Sequence, residues 1–345
     1  MAQAGQAAAG SEMDFYTGAP LALFMPELRK GHKQGLEYAL RTLEELGYAG
    51  VGVPDHVVST GWAQAAHGGP HTPGTEVFGY GDPFTYMAYL AAMTSRMKIY
   101  VRALILPYRQ PIATAHALAT IDSLSGGRLI FCPAPGYDEI EFRSFGVPKK
   151  QRGSRTEEYL QIIKLLWENK AASFQGKYYS FENIGLLVQP TQKPRPPIWM
   201  GGHSHVAHER AIRLADGWTS NCFPYQEEDR ARTSMSFETM AWEIEWGHEE
   251  CRKLGREPLH YAVSTGPGVT VTERSGELEP VVPAPAEGTW FQAVGTAEEL
   301  IRQFDTCRRI TRCDSFVLGL GGRGGPEAYL DNARKFAERV MPAFE

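Results

Sequence analysis

Three short strings in this chain carry groups suited to chemistry. Asp55-His56 follows the apolar run Gly50-Val51-Gly52-Val53-Pro54, so an imidazole stands where a buried strand ends. Histidine titrates near neutrality and can pass a proton to or from a reacting ring. At the same place it can equally be a hydrogen-bonded residue that closes the strand. Gly201-Gly202-His203-Ser204 follows a second apolar run, Pro197-Ile198-Trp199-Met200. Two glycines let the backbone approach a phosphate closely, and a helix opening there offers N–H donors and a favourable dipole. An ordinary strand-to-helix turn capped by Ser204 is the plainer alternative. Arg102 is a lone cation within Ile99-Tyr100-Val101-Arg102-Ala103-Leu104. A charge in an apolar strand must pair or meet an anion, either a ligand or, in an internal salt bridge, Asp55 or Glu139.

Two further features frame these strings. Trp62 lies in a stretch from Ser59 to Gly81 that is dense in Gly, Pro and His, where an aromatic can stack on a planar ligand. His203, His205 and His208 invite a metal reading, but residues two apart cannot face one ligand from a helix. No His-x-His pair opens the chain's first strand either, so no metal is expected.

The elements that must position these residues are legible as an alternation. A buried strand is expected at Leu21–Met25, closed by Pro26, and a helix from about Gln34 to Leu46 with Gly47 as its stop. Strand Gly50–Val53 follows, then the long loop, a helix from Pro83 to Ser95, and a strand from Ile99 to Leu106. Helix Ile112–Leu124, turn Ser125-Gly126-Gly127 and strand Leu129–Cys132 come next, then a polar excursion from Gly136 to Gly153. A helix over Arg155–Trp167, a small hairpin within 170–195 and a strand at 197–200 lead to a helix ending near Leu214. Strand Gly217–Thr219, helix Phe237–Leu254, a strand near Tyr261–Ser264, an irregular stretch over about 266–290, helix Ala297–Arg308 and strand Ser315–Leu320 complete the reading. Eight short apolar strands alternating with helices predict a parallel sheet closed into an α/β TIM (β/α)8 barrel with rim insertions. Residues 1–18, rich in Ala, Gly and Gln, are read as a disordered extension, and 19–345 as one domain. In such a barrel the loops after the strands carry the active site, which gives weight to all three strings.

The bulk properties narrow the class. The chain has 345 residues, 43% of them hydrophobic, and a formal net charge of −5. That balance argues against a nucleic-acid or anionic-membrane surface. Five scattered cysteines with no CxxC pair argue against a zinc ribbon or a secreted disulfide framework and fit a reducing cytoplasm. No apolar run reaches the ~18 residues of a membrane span.

Seven strings together resemble the luciferase-like flavin and deazaflavin oxidoreductases, in an order spread over about residues 20 to 320. They are Pro54-Asp55-His56-Val57, Leu106-Pro107-Tyr108-Arg109-Gln110-Pro111, Ala119-Thr120-Ile121-Asp122-Ser123-Leu124-Ser125-Gly126-Gly127-Arg128, Phe145-Gly146-Val147-Pro148, Arg152-Gly153-Ser154-Arg155-Thr156-Glu157-Glu158, Pro196-Pro197-Ile198-Trp199-Met200-Gly201-Gly202 and Ala215-Asp216-Gly217-Trp218. The long loop and the Leu-Pro-Tyr-Arg-Gln-Pro string are most similar to the subgroup that uses coenzyme F420. The resemblance implies a ring lying across the barrel mouth and a cis non-proline peptide in a bulge near Val101-Arg102. It places the cofactor phosphate at Gly201, Gly202, His203 and Ser204, and His56 near the reactive ring. Asp55, Val101, Arg102, Gly136 and Tyr137 complete the expected cofactor contacts, with His56 and Arg102 as the catalytic pair and Trp62 on the substrate. One departure stands out: Cys132-Pro133-Ala134-Pro135 replaces a glycine-rich string, and two prolines remove N–H donors from that loop.

The expected activity is hydride transfer between F420 and a small organic substrate. The alternative is an FMN-dependent two-component monooxygenase that takes reduced flavin from a separate flavin reductase. A reading from another class, carried by the two prolines, is a barrel that binds a ligand or partner without redox chemistry. A homodimer is expected.

Overall fold

The computed structural model describes residues 13–28, 30–58, 81–222, 235–279, 289–322 and 324–345. The long loop holding Trp62 lies outside them. In chain order the strands are β1 (Asp14–Gly18), β2 (Gly50–Val53), β3 (Lys98–Val101), β4 (Leu104–Ile105), β5 (Leu129–Ile130), β6 (Pro133–Ala134), β7 (Ala172–Gln175), β8 (Ser180–Ile184), β9 (Trp199–Gly201), β10 (Gly217–Asn221), β11 (His260–Val271), β12 (Val294–Gly295) and β13 (Ser315–Leu320). The helices between them are α1 (Leu21–Leu28), α2 (Gln34–Glu45), α3 (Pro83–Met93), α4 (Pro111–Leu124), α5 (Glu139–Ser144), α6 (Arg152–Glu168), α7 (His205–Leu214), α8 (Phe237–Lys253), α9 (Ala297–Thr311) and α10 (Pro326–Arg339).

Eight of the strands pair in parallel in the order β5-β3-β2-β1-β13-β11-β10-β9. The ring closes where Phe131 pairs with Ile198: Phe131 N–H donates to the Pro197 carbonyl and Trp199 N–H to the Phe131 carbonyl, each at 2.9 Å. This is a TIM barrel. Its helices form for local reasons that the sequence declares. In α2 the buried positions Leu36, Ala39, Leu40 and Leu43 recur at helical spacing and face the strands. Asp82 caps α3 by accepting from Thr85 N–H, with Pro83 at the first helical position. Thr296 and Glu299 form a reciprocal capping box on α9.

Strand alternation decides what fills the barrel. Tyr16, Tyr100, Ile130, Cys132, Trp199, Ala262 and Val317 form one buried interior cluster, separate from the strand–helix core. Trp199 stacks on His260 with ring centroids 4.3 Å apart. Gly52 makes room for Tyr100, whose ring would lie 2.4 Å from a Cβ at that position. The interior is packed, so a ligand can only sit at an open end. At the N-terminal end, Arg128 donates to the carbonyls of Ala91, Thr94, Met97 and Ser125 and to Thr94 Oγ1. A cation on the terminal carbonyls of α3 is favourable, and it gives the Ser125–Arg128 turn a purely architectural role.

Several sequence expectations are corrected. The run Leu21–Met25 is helical, within α1, because a short apolar run cannot be told from a buried helix by periodicity. The first strand is instead Asp14–Gly18, inside the segment read as a disordered extension; Phe15, Tyr16 and Thr17 are buried between β2 and β13. The strand expected from Ile99 to Leu106 breaks into β3 and β4 at a cis peptide joining Arg102 to Ala103. Beyond the break, β4 and β6 pair in parallel as a separate two-stranded ladder, Leu104 with Pro133 and Ile105 with Ala134. The polar excursion contains α5, β11 runs on to Val271 through what reads as irregular chain, and α10 follows the last strand. The small hairpin is present as antiparallel β7–β8; Glu158 on α6 anchors it by accepting from the N–H groups of Lys177, Tyr178 and Tyr179. Among the described residues no helix is long and apolar enough to cross a membrane.

Candidate active site at the barrel mouth

The alternation that turns Tyr100, Thr219 and Ala262 inward also turns inward the residues two further along, at the C-terminal rim. On β10 that residue is Asn221, on β11 it is Ser264, and Arg102 takes the same place after β3. Arg102 spans the mouth from one wall to the other. Its Nη2 donates to Asn221 Oδ1 at 2.8 Å and to Ser264 Oγ at 2.6 Å. The internal partners considered from sequence are engaged elsewhere. Asp55 is buried and accepts from Arg109 Nη2 at 2.5 Å and Ile105 N–H at 2.8 Å, while Glu139 pairs with Lys149 at 3.6 Å.

This contact fixes the orientation of the Asn221 amide. A guanidinium only donates, so the Asn221 atom facing Arg102 is the oxygen, and Asn221 Nδ2 faces His203 Nε2 at 3.2 Å. The other ring nitrogen, Nδ1, lies 3.1 Å from Ser220 Oγ and 3.3 Å from the backbone nitrogen of Asn221. Burial and then the positive charge of Arg102 push the His203 pKa down to about 3, so the ring is neutral at neutral pH. Burial likewise raises Cys132, below Arg102, to about 12, with Arg102 pulling the other way. It is a thiol, not a nucleophile.

A second cluster borders the mouth at the end of β2. His56 Nδ1 lies 3.1 Å from Glu141 Oε2, and Tyr108 O–H donates to the same oxygen at 3.1 Å. Val57 N–H donates to Glu141 Oε1 at 2.8 Å. Burial pushes this carboxyl up, but the hydrogen bonds from His56, Val57 and Tyr108 outweigh it and hold the group below its ordinary range. The Tyr137 ring meets His56 edge to face at 5.8 Å.

At the N-terminus of α7, Ser204 Oγ accepts from Ala207 N–H at 3.3 Å, and Ser204 itself is exposed. Ala207 N–H is also bonded to the Ser204 carbonyl at 2.9 Å, so among the first-turn amides those of His205 and Val206 are the donors a phosphate could take. The glycines before it are required by packing. A Cβ on Gly201 would meet Ala103 Cβ at 3.0 Å, and one on Gly202, which has φ +154°, would lie 2.5 Å from Ala207 Cβ. Gly136, at φ +73°, is constrained in the same way by Ile105 at 2.5 Å.

The structure thus brings Arg102 and His203 into one network, and His56 and Tyr137 into another. Val101 is turned the opposite way from Arg102, its side chain fully buried in the strand–helix core. His205 and His208 both face Glu243 on α8, the latter at 2.8 Å. Among the described residues no group of three or more His, Cys, Asp or Glu side chains is arranged to hold a metal ion. Sequence reading misses Asn221, Ser264, Glu141 and Tyr108. Asn221 and Ser264 carry a usable signal, since each is polar at the C-terminal end of a barrel strand. Glu141 carries none, because it sits in an aperiodic polar stretch 85 residues from His56.

Comparison with known proteins agrees with this architecture. Residues 28–279 match the family model of luciferase-like monooxygenases. The chain is 34% identical over 151 residues to an FMNH2-dependent dimethylsulfone monooxygenase of Pseudomonas putida, a match covering 41% of each chain. A monooxygenase from Streptomyces bottropensis superposes with a TM-score of 0.74 at 20% identity, covering 96% of this chain and all of that one. An F420-dependent secondary alcohol dehydrogenase, in complex with an F420-acetone adduct, superposes at 0.72 with 16% identity, covering 97% of this chain and 100% of the other. The family match spans most of the barrel, including both clusters at its mouth, and the chain belongs to the luciferase-like monooxygenase family.

Proposed function

We propose that the chain is the oxygenating component of a two-component monooxygenase that takes up reduced FMN and oxidises a small organic substrate. The observation that carries this reading is a cation fixed across the centre of the mouth by Asn221 and Ser264, with the N-terminus of α7 at the rim. A planar ring that is negatively charged when reduced suits the first, and a phosphate suits the second. The preference for FMN rests on the dimethylsulfone monooxygenase relative, which uses FMNH2. Bound there, reduced flavin supplies the electrons for oxygen activation.

The chain's own residues have separable tasks in this reading. Arg102 stabilises negative charge on the ring, and the α7 amides with Ser204 hold the phosphate. His56 holds or moves a proton at Nε2, the nitrogen turned from Glu141. A separate reductase supplies the reduced cofactor. Coenzyme F420 is the second reading, favoured by the Leu106–Pro111 string, and hydride transfer would then replace oxygen activation.

The test is co-elution. The protein is incubated anaerobically with reduced FMN or reduced F420 and passed over a sizing column, and the protein peak is read for each chromophore. FMN in the peak and F420 absent is the expected result. F420 alone selects the second reading. Neither cofactor in the peak refutes the proposal and leaves the barrel a passive binder.

A further inference from the structure

We infer that Glu141 is a positioning residue that holds His56 in the Nδ1–H tautomer and so makes Nε2 the nitrogen that faces the reaction. This rests on the reading of His56 given above. The argument is one of hydrogen counting. Glu141 is 1% exposed and receives three contacts: Val57 N–H at Oε1, and Tyr108 O–H and His56 Nδ1 at Oε2. A backbone amide can only donate. Tyr108 stacks on Phe145 with centroids 4.4 Å apart and a 9° interplanar angle, which fixes its hydroxyl on the carboxylate. An ionised carboxylate has no hydrogen to give, so Nδ1 must carry the hydrogen in the third contact. In a neutral imidazole a hydrogen held at Nδ1 by this bond makes Nε2 the acceptor nitrogen.

The placement is costly to build. A buried carboxylate needs every lone pair answered, and here the donors come from two separate segments, the end of β2 and the turn after β4, while the carboxylate comes from a third, α5. A salt bridge serving stability alone is as well made at the surface. Drawing these segments together around one imidazole at the rim orients that imidazole.

The test uses 15N-labelled protein and long-range proton–nitrogen spectra of the histidine rings, with His56→Ala identifying the His56 signals. Wild type is expected to show the Nδ1–H pattern at His56. In Glu141→Gln the amide NH2 presents hydrogens to Nδ1, and the pattern is expected to switch to Nε2–H while His203 keeps its own. With cofactor bound, Glu141→Gln is expected to lower kcat about tenfold or more with unchanged cofactor affinity, and to add no further loss in a His56→Ala background. An unswitched tautomer, or additive losses, overturns the inference. If Glu141→Gln does not fold, His56→Asn takes its place, since its amide nitrogen stands near the Nδ1 position. It is expected to keep the Val57 and Tyr108 contacts to Glu141 and a Tm above that of His56→Ala, and equal stability of the two overturns the inference. A confirmed tautomer with full turnover in His56→Ala refutes the role given to His56 and leaves the tautomer assignment standing.

Discussion

Arg102→Met preserves the apolar stem and deletes the guanidinium, and its consequences can be worked out from three contacts. Asn221 and Ser264, 7% and 1% exposed, both lose a charged donor. Ser264 Oγ retains the Gly266 N–H at 3.4 Å, whereas the Asn221 oxygen is left unsatisfied. One buried acceptor without a partner costs ~1–3 kcal/mol, so the expected loss is ~2 kcal/mol, read as a Tm lower by roughly 3 °C. A second readout is independent of stability. Burial is the first cause of the low His203 pKa and Arg102 the second. The variant's His203 should therefore titrate above about 3 in an NMR titration while staying below an exposed histidine. The third readout concerns the cofactor. A lost charge-assisted hydrogen bond of ~1.5–3 kcal/mol weakens reduced cofactor ~10- to 150-fold and leaves oxidised cofactor nearly untouched. Equal weakening of both redox forms refutes the ring-facing role. Unchanged cofactor affinity with a raised KM makes Arg102 a substrate clamp, and an unchanged Tm refutes the burial argument itself.

Other outcomes follow from neighbouring features. Ser204→Asp keeps a good N-cap but sets a negative charge on the proposed phosphate seat. It should weaken FMN at least tenfold, ~1.4 kcal/mol, and spare riboflavin, which lacks the phosphate; equal effects on both would move the phosphate elsewhere. His56→Ala should lower turnover by ~10² or more with a much smaller change in cofactor affinity, and turnover retained by the folded, cofactor-loaded variant would remove the proton role. Stability should fall as pH drops from about 6.5 towards about 3, because the unfolded chain takes a proton on His203 in that window and the folded chain does not. Glu141, held below its usual range, adds to the loss lower in the same direction. Arg102→Met should show a shallower slope in urea unfolding measured across that range, and an identical slope would detach His203 from the effect.

The barrel is legible in the sequence because its signals are local. Each of α2, β2, α4 and α7 declares itself within a dozen residues through apolar spacing, a cap or a glycine stop. Arg102 stands out for the same reason, as a charge where alternation leaves no room for one. What escapes is set by distance along the chain. Leu21–Met25 looks like a strand until β1 is known to occupy the place between β2 and β13. Glu141 finds His56, and Asn221 finds Arg102, only through closure of the ring. The glycines mislead in a different way. Gly201 and Gly202 suggest room for a ligand, and their first duty is to let Ala103 and Ala207 approach the turn.

The place of β1 has a consequence for how the molecule is made. Its partners are β2, which follows shortly, and β13, whose residue Ser315 pairs with Asp14. During synthesis at roughly 5–20 residues per second, about 300 residues separate the two, so β1 waits ~15–60 s for its second neighbour. Until then one edge of β1 presents unpaired N–H and carbonyl groups, and Phe15 lacks its stacking partner Phe316. The ring can close only when the last strand has left the ribosome. Until β13 emerges the nascent chain is an open sheet with an exposed edge, and that interval is when it most needs a chaperone.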